Sequence, residues 1–194
     1  PVPLPDTPPV ALPPNPELSE VSPFISIWTK PRQTMRWIVD TEPTKNVILL
    51  ASVSGIFQAL NLASGIDLGD VLALWLVFLI CLILGPIGGV IGLYLGGWLY
   101  SWSGRKLGGT GDSRKVRSAL AWGAIPGMIG QILYWVFALF VYGEEIFASY
   151  APTVDANPTP LFIVYYGMLF FGIWGVIVLY KCLGEVHEFS AWRA

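Results

Sequence analysis

The sequence predicts an all-α, polytopic membrane protein with about four membrane crossings. Only 12% of the 194 residues are charged and 54% are hydrophobic, whereas roughly 25% of the residues of a soluble domain are charged. The apolar residues also form long runs, the longest being a charge-free stretch from Val71 to Ser103. Roughly 20 apolar residues suffice for a helix to cross a bilayer, so the chain is long enough for several crossings.

Three regions differ in composition. Residues 1–22 carry eight prolines within their first 16 positions, which predicts a disordered tail because the segment has no periodic apolar face. Residues 23–45 mix Trp, Lys and Arg with apolar residues, which predicts an interfacial amphipathic segment at the membrane surface. Residues 46–194 are expected to form the helical transmembrane domain.

The first span is expected at about residues 46–63. Ala51, Gly55 and Ala59 recur every four residues and therefore lie on one face of a helix. A face without bulky side chains lets a second helix approach closely, as is common in lipid. These three residues are therefore predicted to be helix-packing residues.

The second apolar element, at about residues 71–103, would measure roughly 48 Å as a straight helix, whereas the hydrocarbon core is about 30 Å thick. Gly85 and Pro86 are the expected helix break, because proline cannot donate the backbone hydrogen bond and crowds the preceding turn. Either residues 71–84 and 86–103 form two separate spans, or one long kinked element crosses once.

The same element carries a stripe of glycines. Gly88, Gly92 and Gly96 recur every four residues, so they share one face of the helix. The stripe is predicted to be the main helix-packing face of the protein.

The positive charges favour the single crossing. All 11 Lys and Arg residues lie before the first span, in the loop after residue 103, or at the chain end. A single crossing places all of them on one side, and the positive-inside rule makes that side the cytoplasm. The N terminus is therefore expected in the cytoplasm, and the membrane is the cytoplasmic membrane if the protein is bacterial.

The loop after the second element is basic. Its five cations are Arg105, Lys106, Arg114, Lys115 and Arg117. Such a cluster beside a span is suited to contact with anionic lipid headgroups. The glycines of the loop lack the order of a phosphate-binding loop, so no nucleotide site is expected there.

The remaining two spans are expected at about residues 118–141 and 161–183. In the first of these, Gly123 and Gly127 are predicted helix-packing residues. Pro126 lies between them and is a second expected helix break. The loop between the two spans is acidic, in keeping with a position on the side opposite the cations.

No catalytic constellation is visible. No Asp, Glu, Lys, Arg or His lies within the apolar centre of a span, although intramembrane enzymes and proton-coupled transporters need such groups. The single histidine, His187, is near Glu185, but residues two apart point to opposite faces of a helix. We therefore expect no enzyme activity, no cofactor, no metal site and no nucleic-acid partner.

The chain resembles the Yip family of Rab/Ypt-interacting membrane proteins, in particular its bacterial branch, over about residues 28–194. The resemblance is carried by Trp28-Thr29-Lys30-Pro31-Arg32, Leu84-Gly85-Pro86-Ile87-Gly88-Gly89, Gly108-Gly109-Thr110-Gly111, Ala121-Trp122-Gly123-Ala124-Ile125-Pro126 and Lys181-Cys182-Leu183-Gly184-Glu185-Val186-His187-Glu188-Phe189-Ser190. It implies about five spans with a cytoplasmic N terminus; the fifth would follow Ala194 in relatives and is expected to be absent from this sequence. Eukaryotic relatives are linked to prenylated small GTPases, but the resemblance implies no catalytic residues, and no residue here identifies a GTPase partner.

Three functions are compatible with these residues. The leading hypothesis is a scaffold, an accessory subunit or a membrane-organising protein that acts by glycine-mediated helix packing. The alternatives are a channel or transporter for a small neutral solute along the break at Gly85 and Pro86, and a membrane-shaping protein that binds anionic lipid. The expected partners are membrane lipids and a protein in the membrane, and a homo-oligomer is compatible with the pattern.

Overall fold

The computed structural model of the protein describes residues 22–188, which contain helices and turns and no strand. The predicted proline-rich tail, apart from Ser22, lies outside the described residues, and so do residues 189–194. Two short helices come first: α1 (Pro23–Ser26) and α2 (Pro31–Thr41). The long helices are α3 (Val47–Gly65), α4 (Leu74–Lys106), α5 (Ser113–Gly123), α6 (Ile125–Tyr142) and α8 (Thr159–Val186). The loops contain 3-10 turns at Leu68–Asp70 and Gly143–Phe147 and the short helix α7 (Pro152–Ala156).

Four helical segments are long and apolar enough to cross a membrane. They are Val47–Gly65, Leu74–Lys106, Ser113–Phe147 and Thr159–Val186. The third segment combines α5, α6 and the 3-10 turn that follows them. The predicted all-α fold with four crossings is thereby confirmed.

The second span is one helix. α4 continues from Leu74 to Lys106 and contains Pro86 in its interior, so the interpretation as two separate spans is excluded. The helix break expected at Gly85 and Pro86 is corrected: the helix continues through both residues. A proline removes one backbone hydrogen bond, which a helix packed in a membrane domain can tolerate. At roughly 50 Å the helix exceeds the hydrocarbon core, so it must tilt or extend beyond it.

The third span bends. α5 ends at Gly123 and α6 begins at Ile125, with Ala124 between them. Pro126 occupies the first turn of α6, where its missing N–H donor would have no helical partner in any case. The break expected at Pro126 therefore takes the form of a bend two residues before it.

The Lys and Arg residues lie at one end of the bundle, where they are mixed with some acidic residues, whereas the loops at the other end carry acidic charges alone. The basic end contains the start of α3, the end of α4, the start of α5 and the end of α8. There Trp122 donates from Nε1 to the Lys45 carbonyl at 3.3 Å. At the opposite, acidic end, Ser64 donates to the Ile146 carbonyl at 2.6 Å and Ser149 to the Asp70 carboxylate at 2.5 Å. Each end has its own cluster of buried apolar residues.

The amphipathic helix α2 packs on the basic end of the bundle. Met35 is fully buried and Ile38 is nearly so, and the Cys182 thiol of α8 lies 3.9 Å from the Pro31 carbonyl. Arg36 on the outer side of α2 pairs with Glu185 at 2.5 Å. The apolar face of α2 is thus used for protein packing, and its polar face remains exposed.

Candidate functional site: a glycine-lined groove

The closest approach between two spans joins α3 to α4. A Cβ atom added to Gly55 would collide with the Gly85 carbonyl oxygen and lie 2.7 Å from the Gly89 Cα, and one added to Gly89 would collide with the Ala51 carbonyl oxygen. Such distances leave no room for any side chain, because the neighbours are backbone atoms. Ala51 and Gly55 therefore face Gly85 and Gly89 across a contact that requires glycine.

Gly88 and Gly92 lie beside this contact and not within it. Within residues 22–188, no neighbouring atom lies within 4 Å of the position of a Cβ on either residue, and Gly96 has only the Leu120 Cδ1 at 3.5 Å. The stripe that the sequence singled out does not pack the spans of this chain tightly together. Gly85, expected to break the helix, is instead a residue of the close contact.

The glycine stripe lines a groove of about 480 Å³ between α3, α4 and α5. Its walls are formed by Leu50, Ala51, Ser54, Gln58, Gly88, Gly89, Gly92, Leu93, Gly96, Tyr100, Leu120, Ala121 and Ala124. The amide of Gln58 donates to the Ser54 hydroxyl at 3.3 Å. We call this cavity the glycine groove; it is largely apolar and has one polar patch on its α3 wall.

A second cavity of about 310 Å³ lies on the other side of Ser54 and Gln58, between α3, α6 and α8. Gln131 lines it, and its Oε1 is buried without a hydrogen-bond partner among the described residues. An unpaired carbonyl in an apolar setting favours a donor group brought from outside. Gln58 and Gln131 therefore both line a cavity. The remaining amide side chain of the first and third spans, Asn61, accepts a hydrogen bond from Trp135 Nε1 at 3.2 Å.

The other predicted packing residues are distributed over the bundle. Gly123 faces α8, where an added Cβ would lie 2.9 Å from the Leu179 Cα. Gly127 has open space at its own Cβ position, but its backbone nitrogen approaches Gly175 of α8. Ala59 is partly buried and packs in the apolar cluster of the acidic end. Only Ala51 and Gly55, among the packing residues predicted, belong to the closest contact.

The cations of the basic loop lie at the basic end of α4 and α5. Arg105, Lys106, Arg114 and Lys115 are exposed, and Arg117 is half-buried with its guanidinium 4.6 Å from the ring centre of Tyr94. Within residues 22–188, the two ion pairs are Arg36–Glu185 and Lys45–Glu42, and neither uses these cations. The loop therefore presents exposed positive charge beside the end of α4.

The described residues contain no group of three or more His, Cys, Asp or Glu side chains that could hold a metal ion. The channel hypothesis depended on a broken helix at Gly85 and Pro86, and α4 is continuous there. The arrangement that remains is an open, mainly apolar groove beside a tightly packed helix pair. Such a groove is suited to binding an apolar partner in the membrane.

The comparisons with known proteins agree with this architecture. The family model of the Yip1 domain matches residues 25–194. No curated protein and no solved structure matches the chain significantly. The family resemblance inferred from the sequence is confirmed, whereas its bacterial branch stays a prediction. The chain belongs to the Yip1 domain family and is an integral, multi-pass membrane protein.

Proposed function

We propose that this protein is a non-enzymatic scaffold or accessory subunit that binds a transmembrane helix of a partner protein in the glycine groove. One observation carries the proposal: Gly88 and Gly92 leave open space beside α4, although the internal contact of α4 uses Gly85 and Gly89. Helices associate in lipid through close van der Waals contact at small residues. An unoccupied glycine face thus supports helix binding from outside.

The chemistry of the groove defines the partner. From Gly88 to Gly96 the groove extends over nine residues, or roughly 12 Å along α4, which matches about two turns of a second helix. Ser54 and Gln58 on the α3 wall are hydrogen-bonding groups. The expected partner is therefore a helix with small residues four apart and a polar side chain level with Gln58.

The proposed orientation places the basic end in the cytoplasm. The start of α3 and the ends of α4 and α8 lie at the end that carries the loop cations, while Asp67, Asp70, Glu144, Glu145 and Asp155 belong to the loops at the other end. The positive-inside rule favours cytoplasmic cations. The N terminus then lies in the cytoplasm.

Gly92→Leu tests the partner-helix proposal. We expect the variant to fold like the wild type, because Gly92 faces open space. The amount of partner protein that co-purifies with it should fall at least about tenfold, because the leucine side chain fills the groove and prevents close contact with the partner helix. The measurement is gentle detergent extraction from native membranes, followed by quantitative mass spectrometry of the proteins that co-purify.

Gly167→Leu is the matched control, because Gly167 also has open space at its Cβ position but lies on α8, away from the groove. It should retain the partner. If Gly92→Leu keeps the partner at the wild-type amount, or if the wild type purifies with no stoichiometric protein, the proposal is wrong. Loss of a second copy of this chain would identify a homo-oligomer as the occupant.

The exposed loop cations support a second function, the binding of anionic lipid. Each Lys or Arg near an anionic surface contributes about 1 kcal/mol, so changing Arg105, Lys106, Arg114 and Lys115 to Gln should sharply reduce the number of anionic lipids retained. Native mass spectrometry of protein released from nanodiscs of mixed neutral and anionic lipid measures this number. A Lys30→Gln variant at the same end is the control, and lipid retention that is unchanged by the four substitutions and by salt would exclude this function.

A further inference from the structure

The only histidine of the chain is buried at the basic end. His187 follows the last residue of α8 and is 3% exposed. The Gly111 N–H of the basic loop donates to its Nδ1 at 3.2 Å, and the Thr110 N–H donates to its carbonyl oxygen at 3.3 Å. The imidazole and its backbone therefore hold the loop from two sides.

Glycines on both sides of the ring make this position possible. A Cβ atom added to Gly104, near the end of α4, would collide with the imidazole, and one added to Gly111 would lie 2.5 Å from Nδ1. The ring thus lies between α4 and the basic loop. It fits there because positions 104 and 111 are glycines, and any side chain at either position would collide with it. Since His187 is 76 residues from Gly111 in the sequence, this packing is specific to the fold.

The hydrogen bond to Nδ1 fixes the protonation state of the closed arrangement. An imidazole nitrogen that accepts a hydrogen bond carries no proton, so the proton of the neutral ring is on Nε2. Burial away from water lowers the pKa of His187 below its usual 6.5, a hydrogen bond to the Tyr100 backbone opposes this, and the charge of Arg105 lowers the pKa further. The charged groups on the surrounding elements are Arg105 on α4, Asp112 before α5, Lys115 on α5, Arg36 and Asp40 on α2, and Glu185 and Glu188 on either side of the histidine.

We propose that His187 is an acid-sensitive clasp that holds residues 107–112 of the basic loop against the end of α8 while neutral and releases them when protonated. Protonation of Nδ1 would place its N–H against the N–H of Gly111, which turns an attraction into a repulsion. It would also put a buried positive charge beside Arg105. Release frees the loop without breaking the helix contacts of the membrane domain, so the clasp is independent of a partner helix in the glycine groove.

The direction of the pH dependence follows from the lowered pKa. The folded state disfavours the imidazolium, so the unfolded state binds more protons between the folded pKa and 6.5. The stability from the clasp is fully present above pH 6.5 and is lost as the pH falls from 6.5 through the folded pKa. Ordinary Asp and Glu side chains titrate lower and Lys higher, so the single histidine dominates this window.

Hydrogen exchange of the loop amides tests the clasp. In the full chain reconstituted in nanodiscs, we expect protection of the amides at 109–112, corrected for intrinsic exchange, to fall at least about fivefold between pH 7.5 and 5.5. Amides in the middle of α8 should keep their protection. His187→Asn keeps an acceptor close to the position of Nδ1 but cannot titrate, so its loop protection should not change with pH.

The imidazole itself gives a second test that requires no variant. One histidine yields one titrating imidazole signal in NMR spectra of the labelled protein, and its midpoint should lie below 6.5. A midpoint at or above 6.5, or loop protection in the wild type that is the same at pH 7.5 and 5.5, would overturn the proposal.

Discussion

Gly89→Leu is expected to destabilise the membrane domain severely in mild detergent. A Cβ atom at this position collides with the Ala51 carbonyl and lies 2.9 Å from the Gly55 Cα, so α3 and α4 must separate along their whole contact. Inserting extra atoms into a well-packed core typically costs about 1–3 kcal/mol. Because the obstacle here is backbone, which cannot change rotamer, we expect a loss of at least about 3 kcal/mol in the free energy of unfolding. The loss is measured by titration with a denaturing detergent.

Gly88→Leu provides the comparison for this prediction, because it places the same side chain one residue away. Gly88 faces open space in the glycine groove, so the purified variant should differ from the wild type by no more than about 0.5 kcal/mol. Equal destabilisation by both substitutions would show that α4 has a different rotation about its axis. A fully stable Gly89→Leu protein would show that α3 and α4 are further apart.

The number of crossings follows from the sequence because lipid leaves the backbone few choices. A chain in hydrocarbon must satisfy its own hydrogen bonds, so an apolar run of sufficient length becomes a helix. The cation-rich and acidic loops alternate, and this alternation favoured one crossing for residues 71–103. α4 is indeed one helix from Leu74 to Lys106.

The sequence does not predict which face of α4 packs against α3. Gly88, Gly92 and Gly96 form the more regular stripe, but Gly85 and Gly89 form the close contact. The choice between these faces depends on where Ala51 and Gly55 of the preceding helix lie. The packing face of α4 is therefore determined by how α3 and α4 fit together, and the residue pattern of one helix alone does not predict it.

The two prolines illustrate the same limit. Pro86 lies within α4, and the helix is held against α3 by Gly85 and Gly89 on both sides of it. Pro126 lies at the start of α6, after the bend at Ala124. A proline predicts a lost hydrogen bond in both places, but tertiary packing determines whether the helix ends there.

The sequence pattern tested His187 only as a metal ligand, together with Glu185, and did not predict its burial. The glycines that receive the ring are Gly104, near the end of α4, and Gly111, in the loop before α5. Only the return of α8 to the basic end brings them together. The candidate clasp therefore requires the three-dimensional arrangement.

Phe147→Ala is expected to destabilise the acidic end severely. Phe147 is completely buried and stacks on Trp135 at 5.3 Å between ring centres with an angle of 14°, while Phe78 of α4 meets its edge at 5.9 Å. Removing a buried phenylalanine side chain typically costs about 3–5 kcal/mol, because the cavity is only partly refilled. We expect a loss in this range in the free energy of unfolding, measured by denaturing-detergent titration with tryptophan fluorescence.

Phe140→Ala removes the same atoms from a side chain that is 89% exposed on α6, and it should change the free energy of unfolding by no more than about 0.5 kcal/mol. The comparison separates packing in the protein from contact with detergent or lipid, because only Phe147 is enclosed by other residues. Similar effects of the two substitutions would mean that the acidic end is not a packed core. A large effect of Phe147→Ala alone, with loop protection at 109–112 unchanged, would show that the acidic end and the histidine clasp at the basic end are stabilised separately.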